Sequence, residues 1–185
     1  TLGPGAYPRH IVPRPNGSGG PVSVAGVALA EIYDASVNPR AEYQRLINIS
    51  TRGSVRPNDG VLIGGFVITG NSPKRVLVRG VGPGLAAFGL GDLLGDPTLT
   101  VYAGNTALAR NDNWGTPVAA SAGQTAASPG EIMAATKAVG GFSLGADSRD
   151  SAVIVTLAPG AYTAHLAGVA GGAGTALIEI YEIPN

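Results

Sequence analysis

The chain contains no cysteine, so a disulfide framework and a thiolate metal site are both excluded. Charge is equally scarce. Twelve basic residues balance 12 acidic ones for no net charge, and no Lys/Arg run stands out, which makes nucleic acid and anionic membrane poor partners. No apolar run reaches the roughly 18 residues that a membrane span needs, so insertion into a bilayer is not expected. A secretory leader pattern is also missing; the opening at Thr1 rather than Met suggests a chain that has been processed or excised, either of which can remove such a leader. Catalytic signatures are lacking too. Serine occurs without G-x-S-x-G and the carboxylates are scattered, so an enzyme is not the expected function.

Glycine and proline are abundant, at 29 and 14 residues, so turns must be many and elements short. At 185 residues the chain can bury one sizeable core, with or without a short added element.

The chain also carries a piece of itself twice. Thr1-Leu2-Gly3-Pro4-Gly5-Ala6-Tyr7 returns as Thr156-Leu157-Ala158-Pro159-Gly160-Ala161-Tyr162, and His10 is echoed by His165. The echo continues in Gly26-Val27-Ala28-Leu29-Ala30-Glu31-Ile32-Tyr33-Asp34 against Gly174-Thr175-Ala176-Leu177-Ile178-Glu179-Ile180-Tyr181-Glu182. Self-similarity of this kind marks a repeat array whose unit is about one domain long. The reading is one whole unit, residues 37–185, preceded by the closing strands of another, residues 1–36, as a duplicated β-hairpin. Surplus strands need partners, so Tyr7, Val27, Leu29 and Ile32 are candidates for an assembly interface.

Strand patterns recur with turn residues between them: Val24 to Tyr33, Leu46 to Ser50, Val61 to Thr69, Arg75 to Arg79, Thr98 to Tyr102, Ala107 to Arg110, Ser151 to Leu157, Ala161 to Ala167 and Ala176 to Ile183. Short, regularly spaced, alternating strands predict an all-β fold, an antiparallel β-sandwich or jelly roll. One short helix is expected after Ser128, with Pro129 at its first position, Glu131 completing a capping box and Gly140 as the stop. Its apolar face would be Ile132, Met133, Ala135 and Val139, covering an end of the sandwich. Gly80-Val81-Gly82-Pro83-Gly84 follows a strand, but Pro83 removes an N–H and no βαβ pattern surrounds it. A sharp corner is therefore expected rather than a dinucleotide loop.

Asp96-Pro97-Thr98-Leu99-Thr100-Val101-Tyr102, then Asn111-Asp112-Asn113-Trp114, then Pro159-Gly160-Ala161-Tyr162 form an ordered set. The set resembles bacterial pre-peptidase C-terminal domains over about Arg75 to Tyr181. Together with Leu46 to Gly53 and Leu62 to Ile68, it also resembles a repeated domain of large secreted bacterial proteins. The first resemblance implies a secreted, non-catalytic sandwich of a kind that sometimes binds Ca²⁺. Asp96, Asn111, Asp112 and Asn113, with Asp147 or Asp150, are hard oxygen donors of the type that ion takes. The other reading of Asn111-Asp112-Asn113 is a turn whose side chains bond nearby backbone. Trp114 with Tyr102 would make a sugar-stacking platform, or Trp114 would plug the core.

The functional expectation is a secreted or cell-surface structural protein that polymerises with copies of itself through β-strand contacts into a filament, sheath or array. The alternative is a carbohydrate- or cell-surface-binding accessory module of a larger secreted bacterial protein. Neither requires a cofactor beyond the calcium ion just considered.

Overall fold

The computed structural model describes residues 28–32, 47–118 and 124–184. The chain divides into two compact units, Thr1–Arg45 and Leu46–Asn185. In the first unit only residues 28–32 are described, and they form no strand. A sequence pattern fixes what a segment can pair with, whereas a strand exists only through its ladder. The remainder of the expected N-terminal element, including Tyr7, His10 and Val27, lies outside the described residues.

The second unit is an all-β sandwich. Its strands are β1 (Asn48–Val55), β2 (Leu62–Ile68), β3 (Lys74–Val81), β4 (Pro97–Ala103), β5 (Thr106–Asn111), β6 (Ser151–Leu157), β7 (Gly160–Gly168) and β8 (Gly174–Glu182). One α-helix, α1, spans Pro129–Ala138 between β5 and β6. The first sheet has the order β1-β8-β3-β6 and the second β2-β7-β4-β5. The strands pair antiparallel, β1 with β8, β2 with β7, β3 with β6 and β4 with β5. This is one long antiparallel ribbon, rolled so that β3 also meets β8 and β4 also meets β7. Such a rolled ribbon is an eight-stranded jelly roll.

The topology corrects the expected hairpin. Leu157 to Glu182 does not fold as two neighbouring strands, because β7 lies in the second sheet and β8 in the first. Ala164 and Leu166 of β7 face Ala176, Ile178 and Ile180 of β8 across the core rather than along a shared ladder. The segment is an arch, and each of its strands is flanked on both sides.

Burial explains why the strands differ in pattern. The inter-sheet core holds Val76, Val78, Leu99, Val101, Val153, Val155, Leu166, Ile178 and Ile180. A second cluster on the outer face of the first sheet joins Leu77, Ala152, Ile154, Tyr181 and Ile183 to Trp114 and to Ile132 and Ala135 of α1. Strands β3 and β6 are covered on both faces and so read as continuous apolar runs. The outer face of the second sheet carries no described element, and β2 alternates accordingly.

Helix α1 forms with the expected capping box. The Ser128 hydroxyl accepts from the Glu131 N–H at 3.3 Å, and the Glu131 carboxylate accepts from the Ser128 N–H at 2.8 Å. Two details of the expectation are corrected. The helix lies on the outer face of the first sheet, not over an end, and Met133 is 56% exposed. Ile132, Ala135, Thr136 and Val139 follow the spacing of a single helical face, whereas Met133 stands about 100° round from Ile132.

Candidate functional site

The acidic corner is built where β4 begins and β5 ends. Asn111 is buried and fully engaged: its side-chain N–H₂ donates to the carbonyls of Asn113 (3.0 Å) and Thr116 (3.1 Å). Its amide oxygen accepts from the Ala152 N–H at 3.1 Å. Asp96 directs one carboxylate oxygen at Arg149, 3.1 Å away. Asp147 is exposed. Asp150 is wholly buried and turned to another task, described below. No group of three or more His, Cys, Asp or Glu side chains that could hold a metal occurs among the described residues. The hydrogen bonds at Asn111 are those of the turn reading, in which the side chain staples its own corner to the edge of β6. A chelator is therefore expected to leave the melting temperature unchanged, and so is added Ca²⁺. A fall with EDTA that Ca²⁺ reverses would restore the ion.

The glycine-rich corner after β3 does bind an anion, but the anion is the protein's own. The Asp150 carboxylate accepts from the Gly82 N–H at 2.8 Å and the Gly84 N–H at 3.1 and 3.2 Å, and from the Ser148 hydroxyl. The chain then enters a 3₁₀ turn, Pro83–Phe88. The corner follows the sequence expectation, but its partner Asp150 lies 68 residues from Gly82 and is not signalled by the local motif. Buried N–H groups in a tight turn need an acceptor, and that requirement was the available signal.

A second polar cluster sits on the outer face of the first sheet. The register places Arg79 of β3 opposite Glu179 of β8. Arg79 is 0% exposed and Glu179 5%, and Nε lies 3.1 Å from the Glu179 carboxylate. Neither Nε nor Nη2 has a hydrogen-bond partner, so the contact is close in distance but misaligned. Arg79 Nη1 donates to the Phe142 carbonyl at 2.7 Å, and the guanidinium lies 4.4 Å from the Phe142 ring centre. The Tyr181 hydroxyl donates to Glu179 at 2.7 Å. Burial, reinforced by Glu179, pushes the Tyr181 phenol up to about 12. A buried pair that approaches without alignment adds little stability of its own, but removing one partner would strand the other's charge away from water.

The aromatic platform is not assembled. Trp114 is buried beneath α1 and donates its indole N–H to the Gly145 carbonyl at 2.9 Å. Tyr102 lies with its ring centre 4.7 Å from that of His165. Burial lowers the pKa of that imidazole. The Tyr162 hydroxyl ties its turn by donating to the Ala158 carbonyl at 2.8 Å, and its ring stacks on Phe66 at 5.7 Å. A groove of about 380 Å³ lined by Arg75, Gln124, Glu131 and Thr156 has no aromatic wall.

Among the described residues the two sheets have four edges, and three are protected. Strand β6 is capped by side chains: Asn111 takes the Ala152 N–H, and the Gln124 amide both accepts from the Thr156 N–H at 2.9 Å and donates to its carbonyl at 3.1 Å. Strand β5 is interrupted by a register shift that inserts Leu108, and it exposes Arg110. Strand β1 exposes Asn48, Ser50, Arg52 and Ser54. Strand β2 carries no charge and no proline over Leu62–Ile68, and it exposes Ile63 at 50% and Val67 at 66%. An edge of that kind is what soluble proteins ordinarily guard against.

The fold and these sites define the class: an all-β antiparallel jelly roll with one short helix. No protein-family model matches the chain, and a search of curated proteins finds no match either.

Proposed function

We propose that the chain is a non-catalytic, extracellular structural protein whose jelly roll assembles with copies of itself through β-strand contacts into a filament, sheath or surface array. The observation that carries this reading is the second copy of the β7–β8 sequence in residues 1–34. In the complete unit those strands occupy interior places, each with a ladder on both sides. A second copy of interior strands has no place left in a roll that already holds its own. Strand addition to a neighbouring subunit supplies backbone hydrogen bonds together with apolar anchors. Leu29 and Ile32, 80% and 65% exposed, are apolar side chains available for such an anchor.

The test compares the full chain with the fragment Leu46–Asn185, which contains all eight strands and both apolar clusters and so carries what its fold requires. The expected outcome is polymer from the full chain under electron microscopy, and from the fragment a folded, β-rich species no larger than a dimer by light scattering. A full chain that stays monomeric at high concentration would sink the assembly reading. A fragment that forms the same fibres would remove the N-terminal copy as connector.

A further inference from the structure

We infer that β2 is a second assembly contact, pairing antiparallel with β2 of a second copy to join two four-stranded sheets into one of eight strands. The inference rests on the assembly reading above and names an interface within it that the N-terminal copy does not supply.

The first argument is the contrast among edges. Among the described residues the two sheets have four edges, of which β1, β5 and β6 each carry a charge, an irregularity or a side-chain cap, while β2 carries none of these. Guarding three edges and leaving one bare is the pattern of a strand that is meant to be met. The second argument is self-complementarity. Leu62-Ile63-Gly64-Gly65-Phe66-Val67-Ile68 reads nearly the same in both directions in its apolar pattern. With Gly65 on a two-fold axis, Ile63 of one copy stands opposite Val67 of the other, and Leu62 stands opposite Ile68. An isologous contact requires this kind of reciprocity. Directly opposed side chains on one face stabilise antiparallel pairs, and no like charges oppose one another between Asp59 and Asn71 in this register.

The faces also agree. Gly64 points inward, where an added Cβ would lie 3.0 Å from Ile180 and 3.2 Å from Ile178, so Leu62, Phe66 and Ile68 belong to the core side. Ile63, Gly65 and Val67 therefore stand on the uncovered face of the second sheet, and nothing lies within 4 Å of a Cβ added at Gly65. Pairing would set Ile63 and Val67 of both copies side by side, turning four exposed apolar side chains into one patch. Being isologous, the contact closes at a dimer. Growth into a polymer then requires the separate connector.

The absence of cysteine gives a direct test, since any thiol introduced is the sole one in the chain. Opposed antiparallel residues have Cα atoms roughly 4.5–5.5 Å apart, inside the roughly 4.4–6.8 Å range of disulfides. Oxidised Gly65→Cys protein, as full chain and as Leu46–Asn185, should run almost entirely as a covalent dimer on a non-reducing gel and return to monomer with reductant. Val67→Cys alone should not crosslink, because its opposite number is Ile63. A mixture of Ile63→Cys and Val67→Cys should give the mixed dimer. Val67→Lys in the fragment should convert dimer to monomer by light scattering while the far-ultraviolet dichroism stays unchanged. The inference is overturned if Gly65→Cys stays monomeric on oxidation, or if Val67→Cys crosslinks equally well. Fibres from a full-length Gly65→Cys protein that does not crosslink would reject β2 pairing and leave the assembly reading standing. Monomer in both assays would reject both.

Discussion

Glu179→Ala should destabilise the jelly roll by about 3–5 kcal/mol in urea unfolding, a large part of the roughly 5–15 kcal/mol that a domain possesses. The reason lies in what remains. Arg79 would keep its charge at 0% exposure with its nearest anion gone, and the Phe142 carbonyl alone holds one of its nitrogens. The pair itself is not a strong source of stability, because Nε and the carboxylate approach to 3.1 Å without alignment. Arg79→Met combined with Glu179→Leu should therefore recover most of the loss, and that recovery separates an orphaned charge from a lost attraction. Tyr181 gives an independent readout. Its phenol is raised to about 12 from an ordinary value of 10.0, so the folded state holds the proton after the unfolded chain has released it. The associated stability is complete below pH 10 and is lost as pH rises from there towards 12. Tyr181→Phe should abolish this alkaline decline, and Glu179→Ala should reduce it only in part, because burial is the larger cause of the shift. An unaltered slope in both variants would mean that the hydroxyl and carboxylate do not interact as placed.

Local signals carried much of this architecture in the sequence. The Ser128/Glu131 cap was legible because every group involved lies within one helical turn. Strand positions were legible because apolar alternation follows directly from pleating. Partnership was not. Ala164 and Leu166 would alternate identically in a hairpin and in an arch, since both bury one face, so the closing segment reads as a hairpin until β2 and β4 are seen on either side of β7. Arg79 reads only as the end of an apolar run, because Glu179 and Phe142, which account for it, are remote in sequence. Asp96 and Asp150 both fell within the expected calcium set, but Arg149 engages the first and two glycine N–H groups engage the second. Residue type announced hard donors in each case, and chain path decided what they meet. The bare edge at β2 was present in the sequence as Leu62–Ile68, yet edges are defined only once sheet order is known.

The corner at Gly82 should tolerate no side chain without a large loss of stability. A Cβ added there would lie 2.1 Å from the Leu94 carbonyl oxygen and 3.1 Å from its carbon, both of them backbone atoms. Leu94 cannot retreat easily, because its N–H is bound to the Thr175 carbonyl at 2.9 Å and its side chain is wholly buried. Gly82→Ala must therefore shift the corner itself, and the Gly82 and Gly84 N–H groups would then lose Asp150. Each buried donor left without an acceptor costs about 1–3 kcal/mol, and the displaced carboxylate adds more. The expected result is a protein that fails to fold at 37 °C, or one that has lost at least about 4 kcal/mol. Gly65→Ala and Gly91→Ala meet nothing within 4 Å and should unfold close to the unaltered protein, which excludes a general intolerance of glycine replacement. Asp150→Ala tests the same corner from the acceptor side. It should cost about 2–6 kcal/mol, as two N–H donors are orphaned, whereas Asp150→Asn retains one acceptor oxygen and should cost less. If Asp150→Ala proved neutral, the glycine loop would be held by its shape alone, and the buried carboxylate would not be its anchor.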